Sequence, residues 1–278
     1  MDAHDAHRPF LAEFLAGLSD AAALEGWTLT VATAPAGAAD ATYRRLIDER
    51  KADGFVLPRT READPRVAML RDAGVPFVLF GRHGDPQGCP WFDFDGADAM
   101  RRAVSVLARR GHRRIAYVGG AVGFAYEGLR EAGYRRGLRE ASLAAAPELV
   151  RSGAVGPDTG ARAAAGLLDL PDPPTALLYA IDRAALGAWP AARARGLRVG
   201  RDVAVIGYDG DPEGVHVDPP LATFSVDYRA AGGRLAALLI RRVRGEAPEA
   251  LREVVSATFL DRGSASARPI ESTGRRDR

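Results

Sequence analysis

The sequence predicts an α/β protein built as doubly wound parallel sheets in two similar lobes. Short apolar, β-branched runs alternate with stretches of helical period roughly 10–15 residues long, the rhythm of βαβ units. There are also more such runs than one sheet of about 4–6 strands holds comfortably. The first helix is "PFLAEFLAGLSDAAALEG", with Phe10, Phe14, Leu18 and Ala21 on one face. Pro9 suits its first turn and Gly26 its stop. "WTLTVATA" then reads as a strand, Thr42–Arg50 as a helix and "GFVLPR" as a strand. A helix around Pro65–Ala73 leads through Gly74 into the strand "PFVLFGR". The strand "WFDFD" precedes a helix from about Ala97 to Arg109, which Gly111 ends.

The second half repeats this order. "RIAYVGG" is a strand, Glu127–Leu143 a helix, "LVRSGAV" a strand, Thr159–Leu168 a helix and "TALLYA" a strand. A helix near Arg183–Arg195 and the strand "DVAVIGYD" follow. The stretch after Pro219 supplies one more strand and a long helix, and "EVVSATFLDRG" a final strand. The tail, residues 264–278, lacks apolar periodicity and is expected to be disordered.

Bulk properties narrow the function. The 278 residues carry 38 Lys+Arg against 36 Asp+Glu, a formal net charge of +2. That near balance does not mark a surface that coats nucleic acid. Cys89 is the single cysteine, so no intrachain disulfide forms. "MDAHDAHRPF" has neither the charged nor the apolar region of a signal peptide, and no apolar stretch approaches membrane-spanning length. A soluble, cytoplasmic protein with no membrane partner is expected.

Five ordered motifs carry a more specific resemblance: "RRGHRRIAYVGG", "REAGYRRGL", "PTALLYAIDRAALGA", "GLRVGRDVAVIGYDGD" and "DPPLATFSVD". In order and spacing the chain, from about Pro9 to Gly263, resembles the LacI/GalR family of bacterial transcription regulators controlled by small molecules. The resemblance implies a core like that of a periplasmic sugar-binding protein, two lobes joined by crossovers near His112, Phe224–Val226 and Arg244–Ala250. Residues 1–112 with 226–247 would form the amino-terminal lobe, and 113–225 with 248–263 the carboxy-terminal lobe. The family's helix-turn-helix headpiece is not recognisable before Pro9, nor is the first strand of the amino-terminal lobe. Loss of an interior strand would cost its neighbours about 1–3 kcal/mol for each buried unpaired backbone group. Met1 is therefore expected not to be the natural start, a truncated gene product being the alternative.

The same resemblance implies a set of effector-binding residues. Arg130 stands in an R-x-x-G-Y pattern with Gly133 and Tyr134, where the family places an effector-binding arginine. A guanidinium offers a planar fork for two hydroxyls or a carboxylate, although a surface arginine is the plain alternative. Asp209 follows "IGY" and is expected to accept hydrogen bonds from effector hydroxyls, or else to be an Asx-type turn residue. Asp182 reads equally as a ligand group or a helix N-cap. Ile181 replaces the usual asparagine before it, and Val155 stands near the position of a stacking tryptophan in some relatives, so altered specificity is implied. Arg82 and Asp95 end strands expected to face the crevice between the lobes. Of the aromatic residues Phe10, Phe80, Trp91, Phe94, Phe124 and Tyr126, Phe10 and Phe124 are the expected stacking surfaces for a sugar.

The expected function is the ligand-sensing and dimerisation core of a transcription regulator. A sugar or sugar derivative would favour the closed lobes, and a headpiece would convert that closure into altered operator affinity. The implied dimer contact includes the helix after Asp182, which Trp189-Pro190 should kink or shorten. The alternative is a stand-alone solute-binding protein with no DNA role. Asp2, His4, Asp5 and His7 include metal-ligating types but lack a fixed second shell, so no metal is expected. "GGAVG" lacks the full dinucleotide fingerprint, and no hydrolase elbow or zinc-protease motif occurs, so neither cofactor nor catalysis is expected.

Overall fold

The computed structural model describes residues 9–34, 38–82 and 88–266. In chain order these form α1 (Pro9–Leu24), α2 (Ala39–Asp48), β1 (Phe55–Leu57), α3 (Pro65–Asp72), β2 (Phe77–Phe80), β3 (Trp91–Phe94) and α4 (Gly96–Arg109). Then come β4 (Ile115–Val118), α5 (Ala125–Glu140), β5 (Val150–Arg151), α6 (Pro157–Leu168), β6 (Ala176–Tyr179), α7 (Asp182–Ala185) and α8 (Ala188–Arg193). The chain closes with β7 (Ala204–Asp209), β8 (Ala222–Ser225), α9 (Tyr228–Val243), β9 (Arg252–Val255) and β10 (Thr258–Leu260). Two compact units result, each with its own sheet flanked by helices, which is the α/β class expected.

The first unit holds the chain up to Phe94, Gly123–Tyr126 and Asp227–Val255. Its sheet is parallel, in the order β1-β2-β3-β9. Phe55, Leu57, Val67, Leu70, Phe77, Leu79 and Cys89 form a buried cluster between β1, β2 and α3. Phe80 stacks on Phe14 of α1, with ring centroids 5.1 Å apart. Asp64 caps α3 through a hydrogen bond from Arg66 N, and Pro65 occupies its first turn. The expected strand at residues 27–34 does not form, since residues 27–33 enter no ladder. β-branched residues make a strand only where a neighbour supplies hydrogen-bond partners, and β1 is an edge strand of this sheet.

The second unit holds Asp95–Val122, Glu127–Val226 and the chain from Ser256. Its sheet runs β10-β8-β7-β6-β4-β5, parallel except for β10. Every residue of β4 and β6 is buried, as strands covered on both faces require. The order reverses between β4 and β6, the topological switch point of a doubly wound sheet.

The units divide the chain differently from the expected lobes. α4 belongs to the second unit, because Arg101 pairs with Glu140 at 3.2 Å and Arg102 donates to the Ala257 carbonyl at 3.1 Å. "EVVSATFLDRG" is two strands rather than one. β9 pairs with β3 in the first sheet, and only β10 reaches the second sheet, against β8. Residues 248–263 are thus split between the units instead of lying wholly in the second.

Ser264, the first residue of the expected tail, instead packs into the second unit. The Ser264 side chain is fully buried, with its hydroxyl 2.7 Å from both the Val205 carbonyl and the Ala222 amide. The helix expected at Arg183–Arg195 is broken at Leu186–Gly187, and Pro190 sits in the first turn of α8, where its missing N–H costs nothing.

Close helix approach in the second unit rests on Gly160 of α6. A Cβ there would lie 1.8 Å from the Ala184 carbonyl oxygen, whereas nothing lies within 4 Å of a Cβ at Gly166 on the same helix. Gly160→Ala is expected to destabilise by about 1–3 kcal/mol through overpacking. Gly166→Ala is expected to stabilise by about 0.4–1 kcal/mol through the unfolded chain. Chemical denaturation of the two variants checks this pair of opposite signs.

Candidate functional site

Strands of a doubly wound sheet end beside the switch-point crevice, so the residues just after β4, β6 and β7 are the natural ligand groups of the second unit. Arg130, on α5, crosses these strand ends. Its guanidinium donates to the Ala180 carbonyl at 2.6 Å, just past β6, and lies 3.8 Å from the Tyr208 ring centroid on β7. Asp209 Oδ1 is 3.8 Å from it, and the side chains of the pair are only 12% and 22% exposed. The stacked, hydrogen-bonded guanidinium is held in one orientation with an acceptor carboxylate beside it.

Asp209 carries backbone strain. Its φ of 125° lies where non-glycine residues rarely sit, at a cost of about 1–3 kcal/mol. The strain traces to Asp182, whose side chain is completely buried. Asp182 Oδ2 accepts from the Gly210 and Asp211 amides at 2.8 and 2.9 Å, and the Thr223 hydroxyl donates to its carboxylate at 2.8 Å. These bonds pull the chain after β7 inward and leave Asp209 on the outside of a tight turn. Burial, then the neighbouring Asp209 carboxylate, pushes the Asp182 carboxyl up to about 7 against the three donors that favour its charged form.

This geometry corrects the reading of Asp182 as a group that faces the ligand. It heads α7, yet its oxygens serve the next loop rather than its own helix, so the plain N-cap reading also falls short. Gly207 makes room for it, since a Cβ there would stand 2.0 Å from Asp182 Oδ1. A glycine inside a strand signals such close approach, and "VIGYD" carried that signal unread. Ile181 is 5% exposed and contributes no polar group.

Sequence reasoning also missed Glu127. This buried carboxylate accepts from the Gly120 amide at 2.6 Å and the Tyr117 hydroxyl at 3.1 Å, and its pKa is raised by burial. It fixes the turn after β4 much as Asp182 fixes the turn after β7. Gly119-Gly120 thus serves a structural hydrogen bond.

The remaining expected residues divide between the two units. In the first unit Arg82 binds Asp93 at 2.8 Å and lies 6.0 Å from the Trp91 ring. Asp93, inside β3, was not foreseen. Asp95 caps α4 by accepting from the Asp98 amide at 3.1 Å, which a carboxylate before a helix does well without any ligand. Phe124 stacks with Tyr126 and lies 4.2 Å under the Arg59 guanidinium. The Phe10 side chain and the acidic–histidine group at residues 2–7 lie outside the described residues. Among the described residues no group of three or more His, Cys, Asp or Glu is placed to hold a metal ion. No helix among them is long and apolar enough to cross a membrane.

A second unit with charged groups converging at a switch point is the form of a small-molecule-binding core. Residues 104–265 match the model of the periplasmic binding protein-like domain family. The helix-turn-helix-type transcriptional regulator AglR of Rhizobium meliloti (strain 1021) is 34% identical over 268 residues, covering 94% of this chain and 74% of that protein. A LacI-family regulatory protein from Chloroflexus aggregans superposes with a TM-score of 0.84 at 33% identity, over 92% of each chain. A complex of the regulator CelR with cellobiose superposes equally well, TM-score 0.84 at 32% identity, over 92% of this chain and 79% of that one. The chain belongs to the LacI family of transcriptional regulators and carries its effector-binding core.

Asp182→Asn tests the buried latch. Asparagine keeps the shape, its Oδ1 still accepting from the two amides while its NH2 donates to Thr223. The folded carboxyl holds its proton to higher pH than the unfolded one. The contribution of Asp182 to stability is therefore greatest in acid and is lost as pH rises from about 4 towards 7, its folded pKa. The variant is expected to flatten that slope and to be the more stable protein above neutrality. Thermal unfolding between about pH 5 and pH 8 measures it, and parallel curves would refute the latch's titration.

Proposed function

We propose that this chain senses a carbohydrate effector and passes its occupancy to operator DNA through a headpiece of the helix-turn-helix type, as a homodimer. The observation that carries the reading is the orientation of Arg130, stacked on Tyr208 and bonded to the end of β6, with strained Asp209 beside it. A fixed guanidinium and a carboxylate supply donors and acceptors to adjacent hydroxyls, the recurring chemistry of a sugar. The CelR relative, solved with cellobiose, supports a saccharide as the class of ligand. Arg82, Asp95, Phe10 and Phe124 are proposed as further effector contacts. Asp182 acts behind Asp209 as a positioning residue. The apolar, buried Ile181 at the end of β6 favours an effector with fewer polar contacts there.

No bond is made or broken in this scheme. An effector that binds one conformation about 100-fold better than the other biases the equilibrium by about 2.7 kcal/mol, enough to switch a regulator. Binding to the headpiece-bearing protein should therefore change operator affinity, and the reverse coupling should be equal.

Calorimetric titration with cellobiose and a panel of mono- and disaccharides tests the site. Arg130→Ala is expected to weaken the bound sugar by about 10- to 150-fold, the loss of charge-assisted hydrogen bonds worth about 1.5–3 kcal/mol. Asp209→Gly is expected to weaken it similarly while leaving the melting temperature unchanged or raised, since glycine adopts φ 125° freely. A sugar that binds the wild type and both variants equally would overturn the assignment.

A further inference from the structure

Gly96 is the first residue of α4 and is buried, although its own backbone does not require glycine. Its φ lies outside the left-handed region, and in a helix alanine is favoured over glycine. Close approach of another side chain explains the choice. A Cβ on Gly96 would stand 3.0 Å from Arg130 Cγ, 3.1 Å from Nε and 3.7 Å from Cδ. Non-bonded carbon atoms settle at about 3.5–4.0 Å, so a methyl group here would force the Arg130 stem to shift by several tenths of an ångström.

The stem has little freedom to shift, because both of its ends are fixed. One and two turns after Arg130, α5 already touches α4. A Cβ on Gly133 would stand 2.1 Å from the Ala97 carbonyl oxygen, and one on Gly137 2.8 Å from Val104 Cβ. One turn before Arg130, Glu127 accepts from the Gly120 amide at 2.6 Å and the Tyr117 hydroxyl at 3.1 Å, which ties the start of α5 to β4 and its turn. At the far end the guanidinium donates to the Ala180 carbonyl at 2.6 Å and lies 3.8 Å from the Tyr208 ring centroid. Arg130 is thus stretched between two anchors across the bare surface of Gly96. A packed helix pair resists displacement more strongly than one hydrogen bond and one ring contact, so an added methyl would move the guanidinium rather than the helix.

We infer that Gly96 is a positioning residue: by carrying no side chain it gives the Arg130 stem its track past the start of α4, and so sets where the guanidinium stands and how tightly an effector is held. The consequence for an effector rests on the reading of Arg130 and Asp209 as binding groups, whereas the position of the guanidinium does not. Gly96 itself offers a ligand no side chain, so its influence on affinity passes through Arg130.

The first readout needs no ligand. Isotope-labelled arginine reports the Arg130 Nε–H by nuclear magnetic resonance, its signal assigned by its loss in Arg130→Ala. Nε is buried, so its hydrogen exchanges slowly with water in the wild type. Gly96→Ala is expected to speed that exchange at least about fivefold and Gly96→Val further, with the melting temperature of Gly96→Ala within about 4 °C of the wild type. Gly166→Ala, a helical glycine with open space around it, is expected to leave the signal in place. The second readout is calorimetric titration with cellobiose. Gly96→Ala is expected to weaken binding at least about fivefold in the wild-type background and less than about twofold in an Arg130→Ala background, the non-additivity of residues that act through one side chain. Equal losses in the two backgrounds overturn the inference, as does an unchanged Nε–H in both Gly96 variants. A wild type that binds no saccharide overturns the effector reading instead, and the exchange rate still decides whether Gly96 positions Arg130.

Discussion

A single buried carboxylate organises the functional end of the second unit. Asp182, with no exposed surface, gathers the amides of Gly210 and Asp211 and the hydroxyl of Thr223. These bonds tie α7 to the turn after β7 and to β8, so three neighbouring parts of the chain share one anchor. A buried acceptor left without donors costs about 1–3 kcal/mol, which makes the arrangement all-or-none. The turn cannot drift outward without stranding the carboxylate. Asp209 pays for this with an unfavourable φ, and the fold keeps its side chain where a relaxed turn would not.

Arg130 complements this anchor from the helix side. Its stem passes the start of α4, and its head is shared between the Ala180 carbonyl, the Tyr208 face and the Asp209 carboxylate. Such sharing holds the side chain in one ordered arrangement, which would lower the entropy lost by any group that bound it. The same logic recurs after β4, where Glu127 holds the Gly120 amide. Two buried acids therefore set two strand-end turns, while the pair of Arg130 and Asp209 stays less buried. Position relative to solvent, rather than residue type, separates the two buried anchors from Arg130 and Asp209.

The first unit shows what a sheet lacks when its edges are not joined. "WTLTVATA" has as much β-propensity as "GFVLPR", yet only the latter contains a strand, because only Phe55–Leu57 has β2 beside it. Strand formation is a property of pairs.

The local pattern of residues by itself determined the α/β class, most helices and the strands with two covered faces, because hydrophobic period and turn residues act over a few positions. The resemblance, not the local pattern, drew attention to Arg130 and Asp209, which the structure places 3.8 Å apart. Only the tertiary structure decided which sheet received β9, that Asp182 turns inward, and that Glu127 and Asp93 hold neighbours in place. Those outcomes depend on partners distant along the chain, and an aspartate reads alike in sequence whether its donors are a ligand's hydroxyls or the amides of a turn 28 residues away.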